Sequence, residues 1–301
     1  MLILGAHVLI GFDFQASLQP GFERLPLPAQ ELKLAGLGLM LIAVGLLLAP
    51  GAFHQIVECG NDTPRLIDFT GRVASLALLP FALGIGLEIG IAILIVFDPG
   101  LAPIAGVLGT LFALFFWYGL DWLLRERDRR RGTERARTAV PEPTSLETRI
   151  KQVLTEARVV LPGAQALLGF QLAAMLTDAF GRLPRTSQYV HLASLCLLAA
   201  SIVFLMAPAA FHRIVERGDD TERLHRFSSA MVLAALVPLA LGIAGDFYVV
   251  AEKILQSSAI AIGLALASLI LFFGLWFGLT LALRARREPG PGELRVSRAA
   301  R

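Results

Sequence analysis

The chain has 301 residues, of which 55% are hydrophobic and 17% are charged, and its formal net charge at pH 7 is +3. An ordinary soluble domain carries roughly 25% charged residues, so this composition excludes a soluble globule and indicates a protein solvated by lipid. The basic residues lie between and after the apolar blocks, which argues against nucleic acid as a partner.

Eight apolar blocks follow one another along the chain, each close to the roughly 20 residues that a helix needs to cross a bilayer. They cover residues 1–18, 34–53, 73–97, 103–124, 159–177, 189–211, 227–251 and 257–283. We therefore predict an all-α fold, a polytopic membrane helical bundle with about eight transmembrane helices.

The two halves of the chain repeat each other. The sequence APGAFHQIVECGNDT at 49–63 matches APAAFHRIVERGDDT at 207–221 in 11 of 15 positions, at an offset of 158 residues. ALLPFALGI at 77–85 matches ALVPLALGI at 235–243 at the same offset. Each copy holds four helices, so both enter the membrane in the same direction, as parallel repeats expected to be related by an axis along the membrane normal.

The repeat divides the chain into two modules joined by a polar segment. We predict a first four-helix module at 1–125, a basic linker at 126–144, a second four-helix module at 145–287 and a disordered tail at 288–301. The pattern Thr144-Ser-Leu-Glu147 is typical of a capping box that starts a helix. Since apolar residues follow it at helical spacing, we expect a short amphipathic helix on the membrane surface ahead of the fifth span.

The distribution of Lys and Arg predicts the orientation. When the loops are assigned to alternate sides, 22 basic residues fall on the side of the linker and five, Lys33 among them, fall on the other side. The positive-inside rule then places both termini and the linker in the cytoplasm, in a bacterial cell membrane. The basic linker either binds anionic lipid headgroups or serves only as a topology signal.

Two intramembrane acids are the strongest candidates for function. Glu88 and Asp246 occupy the same aligned position, each eight residues after a helix proline, Pro80 or Pro238. Acids inside a membrane are costly and are often functional. One hypothesis is therefore that the helix faces with these prolines and acids line a proton or cation pathway, together with Asp13 in the first span. The alternative is that these carboxylates only pack or lie at the interface.

Two histidines and two cysteines are the other residues of interest. His54 and His212 end the second and sixth spans, where they are either cytoplasmic pH sensors or cations that stabilise a helix C-terminus. Cys59 and Cys196 are predicted to be free thiols, because disulfides need an oxidising compartment. No nucleophile–base pair or metal-ligand spacing is recognisable, so we expect neither an enzyme nor a bound cofactor or metal.

The segments LLGFQL, RLP and MAPAAFHRIVERG resemble a family of small bacterial membrane proteins known as domain of unknown function 6328. The resemblance covers 145–287 well and 1–125 less well, and it is most specific at APAAFHR, residues 207–213. It implies a four-helix membrane module, which this chain carries twice, and it implies that single-module relatives pair as dimers.

The resemblance includes relatives labelled sodium:proton antiporters. Together with the paired acids, it leads us to expect an ion- or proton-coupled transporter whose partners are lipid, protons or sodium, and which forms a homo-oligomer. The alternative is a non-transporting scaffold or sensor module that binds a partner or lipid.

Overall fold

The computed structural model describes residues 2–97, 100–119, 144–217 and 219–286. Most of the predicted basic linker and the whole predicted tail at 288–301 lie outside these residues. The first module contains α1 (Leu2–Ser17), α2 (Leu27–Ile56), α3 (Pro64–Val96) and α4 (Ala102–Leu114), and the second contains α5 (Leu146–Met175), α6 (Arg185–Ile214), α7 (Glu222–Leu255) and α8 (Ser258–Phe273).

Within the described part of the chain, seven helices are long and apolar enough to cross a bilayer, if α4 and α8 are counted with the helical turns that follow them. The eighth, α1, is apolar but has only 16 residues, about 24 Å of helix at 1.5 Å per residue. The all-α prediction is confirmed, and the chain is a multi-pass membrane protein. The helices extend beyond the predicted apolar blocks because their polar end turns are helical as well.

The repeat is visible in how the helices begin. The hydroxyl of Thr63 accepts the amide of Leu66 at the start of α3, and that of Thr221 accepts the amide of Leu224 at the start of α7. These side chains satisfy amides that have no partner inside the helix. Because the capping threonines are 158 residues apart, both copies fix the start of their third helix by the same contact.

The segment before the fifth span differs from the prediction. The capping residue of α5 is Ser145, whose hydroxyl accepts the amide of Thr148, one position later than the expected capping box. The amphipathic stretch is the first part of a continuous α5 rather than a separate surface helix. Its apolar positions Ile150 and Val153 are buried, because they pack against protein instead of lipid.

The polar face of this stretch holds the loop between α2 and α3. The hydroxyl of Thr144 accepts the backbone amide of Asp62 at 2.8 Å, and the amide of Gln152 donates to the Asp62 carboxylate. Arg149 donates to the carbonyl oxygen of Cys59 at 3.0 Å. The second module therefore grips the loop of the first at the end of the bundle where residues 57–63 and 144–149 lie, called here the linker side; the opposite end, with residues 18–26 and 176–184, is the far side.

Small residues let α3 and α4 approach closely. A Cβ atom added to Gly106 would lie 3.0 Å from the carbonyl oxygen of Gly86, and one added to Gly90 would lie 3.1 Å from that of Ala102. Glycines of membrane helices commonly mark such contacts. Gly90 and Gly106 therefore leave little room for a side chain at this contact.

The two modules do not pack reciprocally. The first helices, α1 and α5, lie side by side, and α2 packs on α7 and on the end of α8. In its most apolar window α2 is 72% buried, whereas its counterpart α6 is 28% buried. The expected symmetry axis therefore does not describe the contacts, because α2 is central to the bundle and its counterpart α6 is peripheral.

A tryptophan explains this asymmetry. Both α4 and α8 continue into a π-helical turn, at Phe115–Gly119 and Gly274–Gly278. In the second turn the indole of Trp276 is fully buried and donates to the carbonyl oxygen of Gly45 on α2 at 2.8 Å. The residue of α6 aligned with Gly45 is the exposed Val203. The ring of Trp117, the counterpart of Trp276, instead lies 5.8 Å from the Phe81 ring of its own module, between ring centroids.

Candidate functional site

A cluster of three buried charged groups lies inside the first module. The ammonium of Lys33 on α2 lies 2.7 Å from Oδ1 of Asp13 on α1, and it also donates to Oε2 of Glu88 on α3. The side chains of Lys33 and Asp13 are 8% and 4% exposed, whereas that of Glu88 is 29% exposed. One lysine therefore connects three helices, and Glu88 is the member most open to the surroundings.

A second cluster lies inside the second module. Nδ1 of His191 on α6 lies 3.1 Å from Oδ1 of Asp246 on α7, and Nε2 lies 3.2 Å from the carbonyl oxygen of Gln171 on α5. The amide nitrogen of Gln171 donates to Oδ2 of Asp246. The imidazole is completely buried, so this cluster is closed where the first one is partly open.

The two clusters are the same site in the two copies. At the offset of 158 residues, Asp13 aligns with Gln171, Lys33 with His191 and Glu88 with Asp246. Each cluster therefore joins the first, second and third helix of its module through one basic residue and one acid on the third helix. The acid on the first helix is present only in the first copy.

The first cluster has an excess of acid. With all three groups ionised, two carboxylates face one ammonium and the formal charge is −1. Oε1 of Glu88 is buried and has no hydrogen-bond partner within the described residues. An uncompensated charge among membrane helices is costly, so the cluster favours the uptake of one more positive charge, a proton or a small cation.

The hydrogen-bond geometry of the second cluster requires a proton between its two ionisable side chains. Nε2 of His191 faces a carbonyl oxygen, which only accepts, so Nε2 carries hydrogen. A lone pair on Nδ1 would then face a carboxylate lone pair at 3.1 Å. A proton must therefore lie between His191 and Asp246, on the ring or on the carboxyl, and the pair is neutral overall.

Both clusters lie towards the far side. Lys33 is six residues from the start of α2, and Glu88 and Asp246 are eight and nine residues from the ends of α3 and α7. At 1.5 Å per residue, these groups lie about 9, 12 and 14 Å from the far-side ends of their helices.

One aromatic ring of the first module packs against the second cluster. Phe14, the residue after Asp13, stacks on the His191 ring with 5.0 Å between ring centroids and 10° between the planes. The clusters are thus neighbours across the contact between the modules.

The other predicted pathway residues lie deeper. Pro80 and Pro238 are each two turns from the acid on the same helix, about 12 Å towards the linker side. Both prolines are buried inside helices that continue past them. One turn before Pro238, the hydroxyl of Ser201 donates to the carbonyl oxygen of Ala235 at 2.9 Å, so this part of the proline turn is held from α6.

The predicted histidines lie at the linker-side ends of α2 and α6 and differ in their partners. Nδ1 of His54 donates to the carboxylate of Glu156 on α5, which also accepts the amide of Gln55 at 2.6 Å. His54 is buried, whereas His212 is partly exposed and lies 3.7 Å from Asp220. The two copies therefore differ here, because His54 contacts an acid of the other module whereas His212 lies near an acid of the loop that follows its own helix.

Sequence reasoning missed the two basic partners. Lys33 was counted as a loop cation of the far side, but it lies inside α2 and is buried. His191 was not singled out. The signal was available, since both residues occupy one aligned position of the repeat as the acids do, and a basic residue shared by two apolar helices needs a partner. The prediction that Cys59 and Cys196 are free is confirmed.

These features define a class: a multi-pass helical membrane protein built from two four-helix modules, each with a polar cluster that joins its first three helices. The profile of the Family of unknown function (DUF6328) matches residues 1–121 and again 142–280. The chain belongs to this family and carries its module in tandem. No curated protein and no solved structure matches the chain.

Proposed function

We propose that the protein is a proton-coupled cation transporter, resembling a sodium:proton antiporter, whose ion sites are the two buried clusters. The observation that carries the proposal is the repetition of one ionisable cluster at aligned positions of both modules. A single buried ion pair is common as a structural device. Two aligned clusters, one that favours an additional positive charge and one that holds a proton, are better suited to binding and releasing ions.

The roles of the two clusters follow from their composition. In the first, a proton and a monovalent cation compete for the carboxylates of Asp13 and Glu88, since either one neutralises the formal charge of −1. In the second, the proton shared by His191 and Asp246 leaves a buried charge of −1 when it departs. That cluster therefore exchanges protons and has less room for a cation.

The far-side position of the clusters places the proposed ion sites in one half of the ion path. Along α2, Lys33 and His54 are 21 residues apart, about 31 Å. The turns between them carry the buried apolar residues Met40, Leu41 and Val44. We propose that this layer closes the path on the linker side and that it opens by movement at the proline turns of α3 and α7.

We further propose that the linker side faces the cytoplasm of a bacterial cell. Of the five basic residues assigned to the far side, Lys33 belongs to the buried cluster, which leaves four against 22. Correction for the buried lysine therefore strengthens the positive-inside argument.

The proposal is tested by ion flux in proteoliposomes that contain a pH-sensitive dye. Imposed sodium or proton gradients should drive dye responses with the wild-type protein. Glu88→Gln combined with Asp246→Asn should abolish the responses, because both clusters lose their exchangeable charge. Glu31→Gln, which changes an exposed acid on α2, should leave them intact. Absence of flux from correctly folded wild-type protein under both gradients would overturn the proposal.

A non-transporting sensor or scaffold is the second candidate. The apolar layer on the linker side favours this function. If ions reach the clusters from the far side alone, the clusters respond to the ion concentration on that side without transporting the ion. Its distinguishing result is wild-type protein that shows no flux but whose thermal stability changes with pH or sodium in a way that the double variant loses.

A further inference from the structure

A cavity of about 530 Å³ lies between α1 and α3. In the second module the corresponding helices, α5 and α7, pack against each other. In the first module α1 lies against α5 instead, and the gap is walled by Ile3, Leu47, Ala74, Val160 and Leu236 among other mainly apolar residues. The volume is within the range of roughly 300–1,000 Å³ that is typical of small-molecule sites.

The backbone of α2 leaves this cavity unfilled. Gly51, next to Pro50, lines the cavity, and a Cβ atom added to it would meet nothing within 4 Å. The wall opposite carries the small side chain of Ala74 on α3. Small residues on facing helices thus keep the space open in a part of the protein where other helices are in close contact.

The cavity continues into a polar one at the linker side. A second cavity of about 360 Å³ shares His54, Leu66, Thr155 and Glu156 with the first. Its remaining lining includes Asp62, Lys151, Gln152 and Thr148, so it presents both acidic and basic groups. Together the two cavities form one cleft, called here the α1–α3 cleft, with a charged mouth and an apolar floor.

The depth of the cleft matches one leaflet of a bilayer. Val232 and Leu236 at its floor are 10 and 14 residues from the start of α7, about 15 and 21 Å along the helix. Half of a hydrocarbon core of about 30 Å is about 15 Å. The change from charged to apolar lining therefore follows the order of headgroup and acyl chain in the linker-side leaflet.

We propose that the α1–α3 cleft is a binding site for a zwitterionic phospholipid with a primary ammonium headgroup, such as phosphatidylethanolamine. One acyl chain occupies the apolar floor between α1 and α3. At the mouth Lys151, whose ammonium also pairs with Glu147, binds the phosphate. The carboxylates of Asp62 and Glu156 already accept side-chain hydrogen bonds within the protein, and their remaining lone pairs receive the ammonium. An anionic headgroup without an ammonium makes only the contact with Lys151 and brings its negative charge beside the carboxylates of Asp62 and Glu156.

The bound lipid would complete the first module. It fills the gap between α1 and α3, whereas in the second module the corresponding helices α5 and α7 are in direct contact. It also lies beside His54 and Glu156, whose hydrogen bond links the two modules. The proposal does not depend on ion transport, since it concerns the linker-side half of the bundle.

The test is photocrosslinking of the full-length protein in vesicles that contain phosphatidylethanolamine with a diazirine in one acyl chain, followed by mass spectrometry of the labelled peptides. Label should concentrate on α2, α3 and α5 beside the cleft. Gly51→Leu should lower this labelling about tenfold, the change expected when about two lipid methylenes lose their buried position. Gly263→Leu, at an exposed glycine of α8 that also has nothing within 4 Å of an added Cβ, should not change it.

A matched probe tests the headgroup. Phosphatidylglycerol with the same diazirine chain should label the cleft less than the phosphatidylethanolamine probe, and equal labelling by the two would overturn the assignment. Label spread evenly over the lipid-facing sides of α4 and α8, or cleft labelling that Gly51→Leu leaves unchanged, would also overturn it. Size-exclusion profiles establish that the variants are folded. If Gly51→Leu does not fold, Ala74→Leu takes its place, since it fills the cleft from α3.

Discussion

Replacement of Lys33 by methionine tests whether the first cluster is a true charge network. Methionine retains the length of the side chain but removes the ammonium that lies 2.7 Å from Asp13 and that also donates to Glu88. Breaking a buried ion pair from one side costs about 3–5 kcal/mol, because the remaining charge is left unpaired. For a protein of this size, we expect a fall in melting temperature on the order of 10 °C at neutral pH.

The rescue variant makes this prediction specific. The triple variant Lys33→Met, Asp13→Asn and Glu88→Gln carries no charge in the cluster, so it should recover most of the lost stability. The loss in Lys33→Met should also shrink as the pH falls, since protonation of the two carboxylates removes the unpaired charge. Melting of detergent-solubilised protein measures all three effects. If Lys33→Met has the same melting temperature as the wild type both at neutral pH and in acid, the reasoning about the cluster is refuted.

Three further predictions concern the module contact, the orientation and a far-side ion pair. Gly45→Leu should destabilise the protein by about 1–3 kcal/mol, because even a Cβ there would lie 3.2 Å from the Phe272 ring, whereas Gly263→Leu should not; equal melting of the two variants would contradict the packing. With Cys196→Ser as background, a membrane-impermeant maleimide should label the exposed Cys59 in inside-out vesicles but not in intact cells, and the reverse would invert the proposed orientation. The ammonium of Lys253, which lies 3.4 Å from the Glu23 carboxylate, and the guanidinium of Arg182 lower the pKa of Glu23 below its ordinary value. Glu23→Gln should therefore lower the free energy of unfolding by less than about 1 kcal/mol at neutral pH. This loss should disappear as the pH falls through the lowered pKa, and a loss that grows in acid would contradict the sign.

Most of the architecture was predictable because lipid imposes it. A helix must satisfy its own backbone in a bilayer, so long apolar blocks alone predict the spans. The repeat adds the division into modules, since 11 of 15 identical residues at 49–63 and 207–221 fix the register. The acids Asp13, Glu88 and Asp246 were found for the same reason, because a carboxylate in such a block is unusual.

Some features cannot be read from the local sequence, because they depend on comparison or contact between distant segments. Nothing in the local sequence around Lys33 distinguishes a buried lysine six residues into a helix from a loop cation at the membrane surface. The burial of Lys33 follows only once the start of α2 is known. That start, at Leu27, lies before the apolar block from which the span is predicted. The pairing of His54 with Glu156 likewise joins residues 102 positions apart, and it follows from how α5 lies beside α2.

The divergence of the two clusters constrains how they work together. Had both copies kept two acids and one base, each would carry the same formal charge of −1. The change of Asp13 to Gln171 removes one acid, and the change of Lys33 to His191 replaces an ammonium by an imidazole that lies 3.1 Å from Asp246. The second cluster is thereby neutral with one proton bound, while the first still attracts a positive charge. In the transport that we propose, two neighbouring sites of different charge give the modules unequal roles: the cluster open at Glu88 admits the ion, and the closed cluster holds the proton.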